Sequence, residues 1–353
     1  MSFFSSRPRP PKGSAKWIVL SLAVITLGSM AALPTGYVIE RPGQVFNVMG
    51  EISGQKVISS ADVAVYESDS RFDITTVSLL GNRESTPSWV QVLWAWADPE
   101  QIVLPLDEVY PPSLTTAEIR AESSAQMEVS QQDAIAAALS ELGYEIPRTL
   151  YVASVIADAP SSGILVAGDF VVSAGGSDVV SFDELKGQIQ LSEGQPMIIE
   201  VIRDSQPLSL EITPEKRETD WVIGAMVGYT YDFPVDIQLQ LGDVGGPSGG
   251  LMFTLGILDA LSEGSMAAGY HVSGTGTINA AGEVGPIGGV GLKMIAAKNS
   301  GADLFLVPQG NCEEAIGQIP DGLSVVTVRD LSEALEAIDA LTKGNQLPSV
   351  SCN

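Results

Sequence analysis

Hydrophobic and polar positions divide the chain into stretches of different character. Trp17–Leu33 is an unbroken run of apolar and small residues without a charge, closed by Pro34. Ile74–Leu80 reads as a strand stopped by Gly81, and Pro87–Trp96 as an amphipathic helix. Ser130–Gly143 predicts a second helix, with Ser130 as N-cap, Ile135, Ala138, Leu139 and Leu142 as its apolar face, and Gly143 as its stop. The strand Leu150–Ile156 is followed by Gly163-Ile164-Leu165-Val166-Ala167-Gly168-Asp169, the strand Phe170–Ser173 and a Gly175-Gly176 turn. Ser181 and Glu184 then fit a capping box on a short helix to about Leu191, before strands at Met197–Arg203 and Leu208–Ile212. The last part alternates as a strand over Asp236–Leu241, turns apolar over Leu251–Leu258, and carries an apparent strand at Ala267–Ser273. A helix Leu292–Asn299, strands Leu304–Val307 and Val325–Val328, and a helix Ser332–Leu341 complete it. These elements predict an α+β multidomain chain with parts at 1–16, 17–34, 35–146, 147–215, 216–343 and a tail 344–353.

Composition narrows the chemistry. At 353 residues two or three domains are expected, and 45% apolar residues suffice for packed cores. One His and two Cys rule out a zinc site or iron–sulfur cluster built from His and Cys of this chain alone, so no metal or cofactor is expected. There is no G-x-x-x-x-G-K-[ST] phosphate loop. Residues 1–16 carry Arg7, Arg9, Lys12 and Lys16 and no acid, which leaves 14 basic against 43 acidic side chains beyond them, a net of −29. That surface repels phosphates, so no nucleic-acid partner is expected.

The basic arm and the 17-residue apolar run read as a membrane entry. A span needs about 20 residues, or fewer with snorkelling flanks, and Trp17 sits where an interfacial anchor belongs. A single-pass transmembrane anchor over 17–34 is expected, with the bulk of the chain extracytoplasmic. Ser29-Met30-Ala31 offers the alternative of a cleaved secretory signal. Both export the remainder, and an oxidising compartment then favours pairing of Cys312 with Cys352. No chemistry is visible in 35–146, where Trp89, Trp94 and Trp96 read as core.

In the last part, Gly242-Asp243-Val244-Gly245-Gly246-Pro247-Ser248-Gly249-Gly250 places a serine on a glycine-rich turn between a strand and a buried helix. Read alone, Ser248 fits a helix N-cap better than a nucleophile, although N–H groups at a helix start could hold an oxyanion. A nucleophilic serine needs a base. The sole histidine, His271, has no acid beside it in sequence and reads as a core residue. Lys293 ends Gly282-Glu283-Val284-Gly285-Pro286-Ile287-Gly288-Gly289-Val290-Gly291-Leu292-Lys293; desolvation could leave it neutral. By itself it fits a solvated surface residue equally well.

Together these segments carry a family resemblance. The glycine-flanked P-S-G-G, the G-T-G-T-I at Gly274–Ile278, the G-E-V-G-P-I-G-G ending in Lys293 and the following helix and strand resemble the proteolytic domain of the Lon proteases, over about 120 residues. The resemblance implies a serine endopeptidase in which Ser248 is the nucleophile and Lys293, 45 residues later, the general base. It implies that Thr275 steadies the lysine and that backbone N–H groups of the 245–248 loop, those of Gly246 and Ser248, hold the oxyanion. The family's D-G-P-S-A-G differs here, with Gly245 in place of the acid and Gly249 in place of Ala; Asp243 is a loose substitute for the lost carboxylate. The segment 147–215 is similar to bacterial PDZ domains, which capture peptide C-termini as an added strand. Its carboxylate-binding loop would fall at Gly143–Arg148, which departs from the usual signature. The whole order resembles the secreted, membrane-anchored PDZ-containing Lon-like proteases of actinobacteria and relatives. It implies polypeptide substrates cut without ATP, in unfolded or exposed segments, and homo-oligomer rings of the kind Lon-type domains commonly form. A non-catalytic membrane-tethered PDZ/Lon-fold binding scaffold is the alternative reading.

Overall fold

The computed structural model describes residues 14–242, 244–348 and 350–352; the basic arm up to residue 13 and Asp243 lie outside the described residues. The first half of the chain forms α1 (Ser14–Ala32), β1 (Tyr37–Asn47), β2 (Ile58–Ser60), β3 (Arg71–Leu80), α2 (Trp89–Ala97), β4 (Ile102–Pro105) and α3 (Thr116–Glu141). Then come β5 (Arg148–Val155), β6 (Phe170–Ala174), α4 (Phe182–Leu191), β7 (Met197–Arg203), β8 (Gln206–Ile212) and β9 (Ala225–Tyr231). The rest forms β10 (Ile237–Leu239), α5 (Gly250–Leu261), β11 (His271–Gly274), α6 (Val290–Ser300), β12 (Leu304–Pro308), α7 (Cys312–Ile316), β13 (Ser324–Val328) and α8 (Leu331–Thr342), with shorter pieces between. The fold class is mixed α+β, in two compact units: residues up to Ala138 together with those from Ile237, and Leu139–Asp236.

The first unit is organised by a six-stranded sheet in the order β13-β12-β11-β3-β1-β4. Its β11, β12 and β13 run parallel, β3 joins β11 in parallel, and β1 and β4 add antiparallel strands. Helix α5 packs on β3, and α6 on β1 and β3. Every residue of α5 from Gly250 to Ala260 is buried, the polar Thr254 and Asp259 included, so this mainly apolar helix is held inside rather than along a surface. Phe72, Phe253, Phe305, Leu251, Met252 and Leu255 are among its largest fully buried side chains.

This sheet redraws the expected divisions. Residues 35–138 are not a region apart: β1, β3 and β4 complete the sheet of the segment expected to begin at 216. Pairing between distant strands leaves no mark on the local pattern of either, which records only which faces are covered. The expected helix over 130–143 begins at Thr116, because its polar first half also lies on the helix. Trp94 and Trp96 are exposed, at 73% and 57%, against the expectation of a core cluster.

The second unit carries a sheet in the order β8-β7-β6-β5-β9 over a core that includes Leu150, Val152, Val171, Leu185, Ile189, Ile199 and Val201. It extends past the expected end at 215, because β9 pairs along β5 from Val155 to Arg148. The Ser181–Glu184 capping box forms as expected on α4. Asp169 of the G-x-L-x-x-G-D stretch is buried and takes two bonds from Arg203, Nε at 2.6 Å and Nη2 at 2.7 Å. β5 is flanked on both sides, by β6 and β9, so the loop before Leu150 feeds a strand with no open edge. The strand that follows Gly143–Arg148 thus lacks the free edge that peptide addition needs; the edges of this sheet are β8 and β9.

Helix α1 forms where an apolar segment was expected, with Trp17, Ile18, Val19 and Leu20 exposed. Among the described residues, no helix is long and apolar enough to cross a membrane, so the span over 17–34 is not supported.

A buried charge network closes the join between the early and late strands. Asp73 of β3 is fully buried, opposite Ser273 in the register. It accepts from Arg71 Nε at 3.1 Å and Nη2 at 2.9 Å and meets His271 Nε2 at 2.5 Å. Burial alone would raise its pKa, but the bonds from His271 and Arg71 outweigh it and hold the carboxyl below its ordinary value. Ser273 Oγ approaches the same ring nitrogen at 3.4 Å. A relay needs acid and serine on opposite ring nitrogens, so this constellation is structural, as His271 was expected to be. Replacing Asp73 by Ala strands the His271 and Arg71 donors and is expected to cost about 2–3 kcal/mol, the exposed side of Arg71 keeping it modest. Because the folded carboxyl has the lower pKa, its stabilisation is present above the unfolded value near pH 4 and is lost as pH falls through the folded value. Thermal melts from pH 7 to 3 should show the wild type losing its advantage over Asp73→Ala at the acid end.

Candidate active site

Ser248 stands at the entry to α5, but Gly249 is that helix's N-cap and no side chain caps it. The helix-cap reading of Ser248 is therefore not the one realised. The residues around it are fixed from several sides. The Ser248 carbonyl accepts from Gly276 N–H at 2.9 Å and from Thr275 Oγ1 at 3.1 Å. The Pro247 carbonyl accepts from Ser130 Oγ of α3 at 2.9 Å, and Gly246 N–H donates to the Ser123 carbonyl of α3 at 2.9 Å. Helix α3 thus cradles the serine turn. A Cβ at residue 245 would lie 2.3 Å from Ser123 Oγ, so the glycine standing where the related pattern has an acid lets α3 approach.

Lys293 enters from α6 and is 4% exposed. Gly289 opens α6 in a left-handed conformation, φ 69°, where a β-carbon is strained. The turn before the helix is clasped by Asn311, which accepts from Ile287 N–H at 2.8 Å and donates to the Ile287 carbonyl at 2.7 Å. Glu314 Oε1 accepts from Val290 N–H at 3.2 Å. The Lys293 ammonium donates to Thr275 Oγ1 at 3.2 Å. Thr275, itself fully buried, thus links Lys293 to the Ser248 carbonyl. Burial pulls the Lys293 pKa down to about 8, against the opposing charges of Glu314 and Glu40.

Ser248 and Lys293 line one cavity of about 480 Å³, with Glu40, Gln44 and Phe46 from β1, Ile74, Thr76 and Val77 from β3, and Met127 from α3. A second hollow of about 1000 Å³ shares Met127, Val244 and Gly245 with it, and is further lined by Arg120, Glu128 and Gln131. No residue of β1, β3 or α3 was singled out from the sequence as part of a site, and ordinary Gln, Phe, Thr and Met carry no signal that could have done so.

The expected site residues come together in part. Ser248, Thr275 and Lys293 converge, but no hydrogen bond between Lys293 Nζ and Ser248 Oγ is among those of the described residues, where Nζ is turned to Thr275. Such bonds are often long without substrate. Gly246 does not present a free donor as expected, because Ser123 takes its N–H. The Cys312–Cys352 disulfide forms. Near it, Gln309 Nε2 donates to the Ser351 carbonyl at 2.8 Å, and Val350 packs on a core with Val290 and Met294. Removing the Thr275 hydroxyl as Thr275→Val leaves Lys293 without its acceptor and the Ser248 carbonyl with one donor fewer. Any hydrolysis at Ser248 should fall about ten- to a hundredfold, read as kcat/KM on a peptide at a temperature where the variant is folded, and the melting temperature should fall by a few degrees.

Against known families, residues 186–341 match the Lon protease (S16) C-terminal proteolytic domain, so a proteolytic domain of that type is recognised in this chain. Among individual proteins, Lon protease 2 of Bacillus subtilis is 35% identical over 108 residues, 30% of this chain and 19% of the relative. The Lon protease of Helicobacter pylori strain 26695 is 28% identical over 184 residues, 46% of this chain and 22% of the relative. The chain thus spans about a fifth of the length of these relatives. Among solved structures, the PDZ domain of an SdrC-like protein from Listeria monocytogenes is 23% identical, covering 22% of this chain and 85% of that one at a TM-score of 0.21. That of the Listeria innocua counterpart is 26% identical, covering 22% and 92%, also at 0.21.

Proposed function

We propose that the protein is an ATP-independent serine endopeptidase that acts with a Ser248–Lys293 dyad. One observation carries the reading: Lys293, 4% exposed and with its pKa lowered to about 8, shares a cavity with Ser248 on a turn held by α3 on one side and the Thr275–Gly276 corner on the other. In the reaction, neutral Lys293 takes the Ser248 proton as Oγ attacks a peptide carbonyl. The Ser248 N–H, with Gly246 N–H once it leaves the Ser123 carbonyl, receives the oxyanion. Lys293 then returns the proton to the departing amine, and water releases the acyl group from Ser248. The hollow next to the cavity supports a substrate that is an extended chain, such as an unfolded or exposed segment. The non-catalytic scaffold is the second reading, favoured by the lysine's turn toward Thr275 and by the occupied Gly246 donor.

Cleavage of casein or an unstructured peptide decides between them. Ser248→Ala and Lys293→Ala should each abolish it; persistence in either removes the dyad. Because the base works deprotonated, wild-type kcat/KM should rise with pH through about 8 and level off above.

The proposal places the protein outside the cytoplasm, retained at the membrane by the apolar segment Trp17–Leu33, with homo-oligomerisation as a further part of it. The Cys312–Cys352 disulfide supports an oxidising compartment, and the second unit supports a PDZ-like reading through its strand order and capped helix. Fractionation of expressing cells should find the chain in the membrane fraction and open to protease added outside. Recovery in the cytosol with reduced cysteines would remove this part.

A further inference from the structure

One charged side chain in the cavity takes part in no proton transfer or bond of the dyad mechanism. Glu40 sits at the point where β1 is paired on both sides, to Leu79 of β3 and to Ile102 of β4, so its backbone is fixed. Its half-buried side chain lines the same cavity as Ser248 and Lys293. The other lining residues, Lys293 apart, are uncharged.

Two simple explanations for a carboxylate there are unsupported. It is not the hydrogen-bonded counter-ion of Lys293, since that ammonium donates to Thr275 instead, and no ion pair between the two is among those of the described residues. Nor does it brace the fold, since no hydrogen bond to its side chain is recorded there. Its surroundings add to its unpaired character. Burial, and the negative charges of Glu108 and Glu314, push the Glu40 pKa up, and only Lys293 opposes them. With Lys293 neutral for catalysis, the cavity is left with net negative charge and no cation to answer it. A half-desolvated carboxylate in that position gains most from a cationic guest.

We infer that Glu40 makes this peptidase selective for chain segments that carry a lysine or arginine beside the bond to be cut. The inference rests on the peptidase reading above. In water a free ammonium or guanidinium group has little to gain from a single exposed carboxylate. Inside the cavity the same pair is partly shielded from solvent, where it counts for more. The remaining wall, with Phe46, Ile74 and Met127, suits the aliphatic stem of such a side chain.

The test uses the full chain and quenched-fluorescence peptides of one parent sequence. Lysine, norleucine or glutamate is placed in turn at each of the three positions either side of the scissile bond. At one position the wild type should favour lysine over norleucine by about tenfold in kcat/KM and discriminate further against glutamate. In Glu40→Gln the lysine-to-norleucine ratio at that position should fall to near one, and in Glu40→Lys glutamate should overtake lysine. Removing the carboxylate also removes a charge that favours protonated Lys293, so the acid limb of the pH profile should move down in Glu40→Gln for every peptide alike. A wild type that cleaves peptides through Ser248 without preferring lysine at any position overturns the inference and leaves the peptidase standing. So does a Glu40→Gln enzyme whose pH limb moves while its ratios stay. A wild type that cleaves none of the peptides overturns the peptidase and the inference together.

Discussion

Keeping one amine out of water is the constraint on which this structure is built. Lys293 is 4% exposed, and its pKa near 8 in place of the ordinary 10.5 corresponds to an ammonium disfavoured by on the order of 3 kcal/mol. Such a cost falls on the fold, and the structure meets it by holding both ends of the lysine. Its backbone is fixed by the left-handed Gly289, the Asn311 clasp and the Glu314 carboxylate at the start of α6. Its Nζ is met by the Thr275 hydroxyl. The two acids that raise its pKa again stop it from falling further, so the amine stays titratable near neutrality rather than permanently neutral.

The serine is governed by geometry rather than by charge. Its turn is strung between α3, which holds the Pro247 carbonyl and the Gly246 N–H, and the Thr275–Gly276 corner, which holds the Ser248 carbonyl. Thr275 belongs to both halves, since the same oxygen faces the lysine and the serine backbone. A single buried hydroxyl therefore sets how the two segments of the site are spaced.

What the sequence made legible follows from where the information lies. Ser248, Thr275 and Lys293 lie on short glycine-rich segments that are visible in the sequence; the structure puts Ser248 and Lys293 on one cavity and bonds Thr275 to both segments, without a bond from Lys293 Nζ to Ser248 Oγ. The capped helix Phe182–Leu191 was legible because its signal is local, and the cysteine pair because the chain has only two. Glu40, Phe46, Ile74 and Met127 were not, because they reach the cavity only through pairings such as His271 with Arg71, which no local pattern encodes. The role given to the Gly246 N–H failed for a related reason: its acceptor, the Ser123 carbonyl, is a backbone atom on a helix far back in the chain. The strand β9 was not legible either, and with it the covering of β5 on both sides, because a strand's open edge is a property of the sheet.

The central sheet draws on both ends of the chain, with Asp73 and His271 in contact although 198 residues separate them. During synthesis β1 and β3 emerge first and must wait, unpaired on the side of β11, while the whole Leu139–Asp236 unit is made and is free to collapse around its own core. Closing so long a loop is slow. The hollow between Glu40 and Ser248 therefore does not exist until β11 and α6 have been made and have joined the early strands. A shortened gene beginning at residue 216 would carry Ser248 and Lys293 yet lack the strands that wall their cavity, so the smallest fragment that holds the cavity is set by the sheet and not by the motifs.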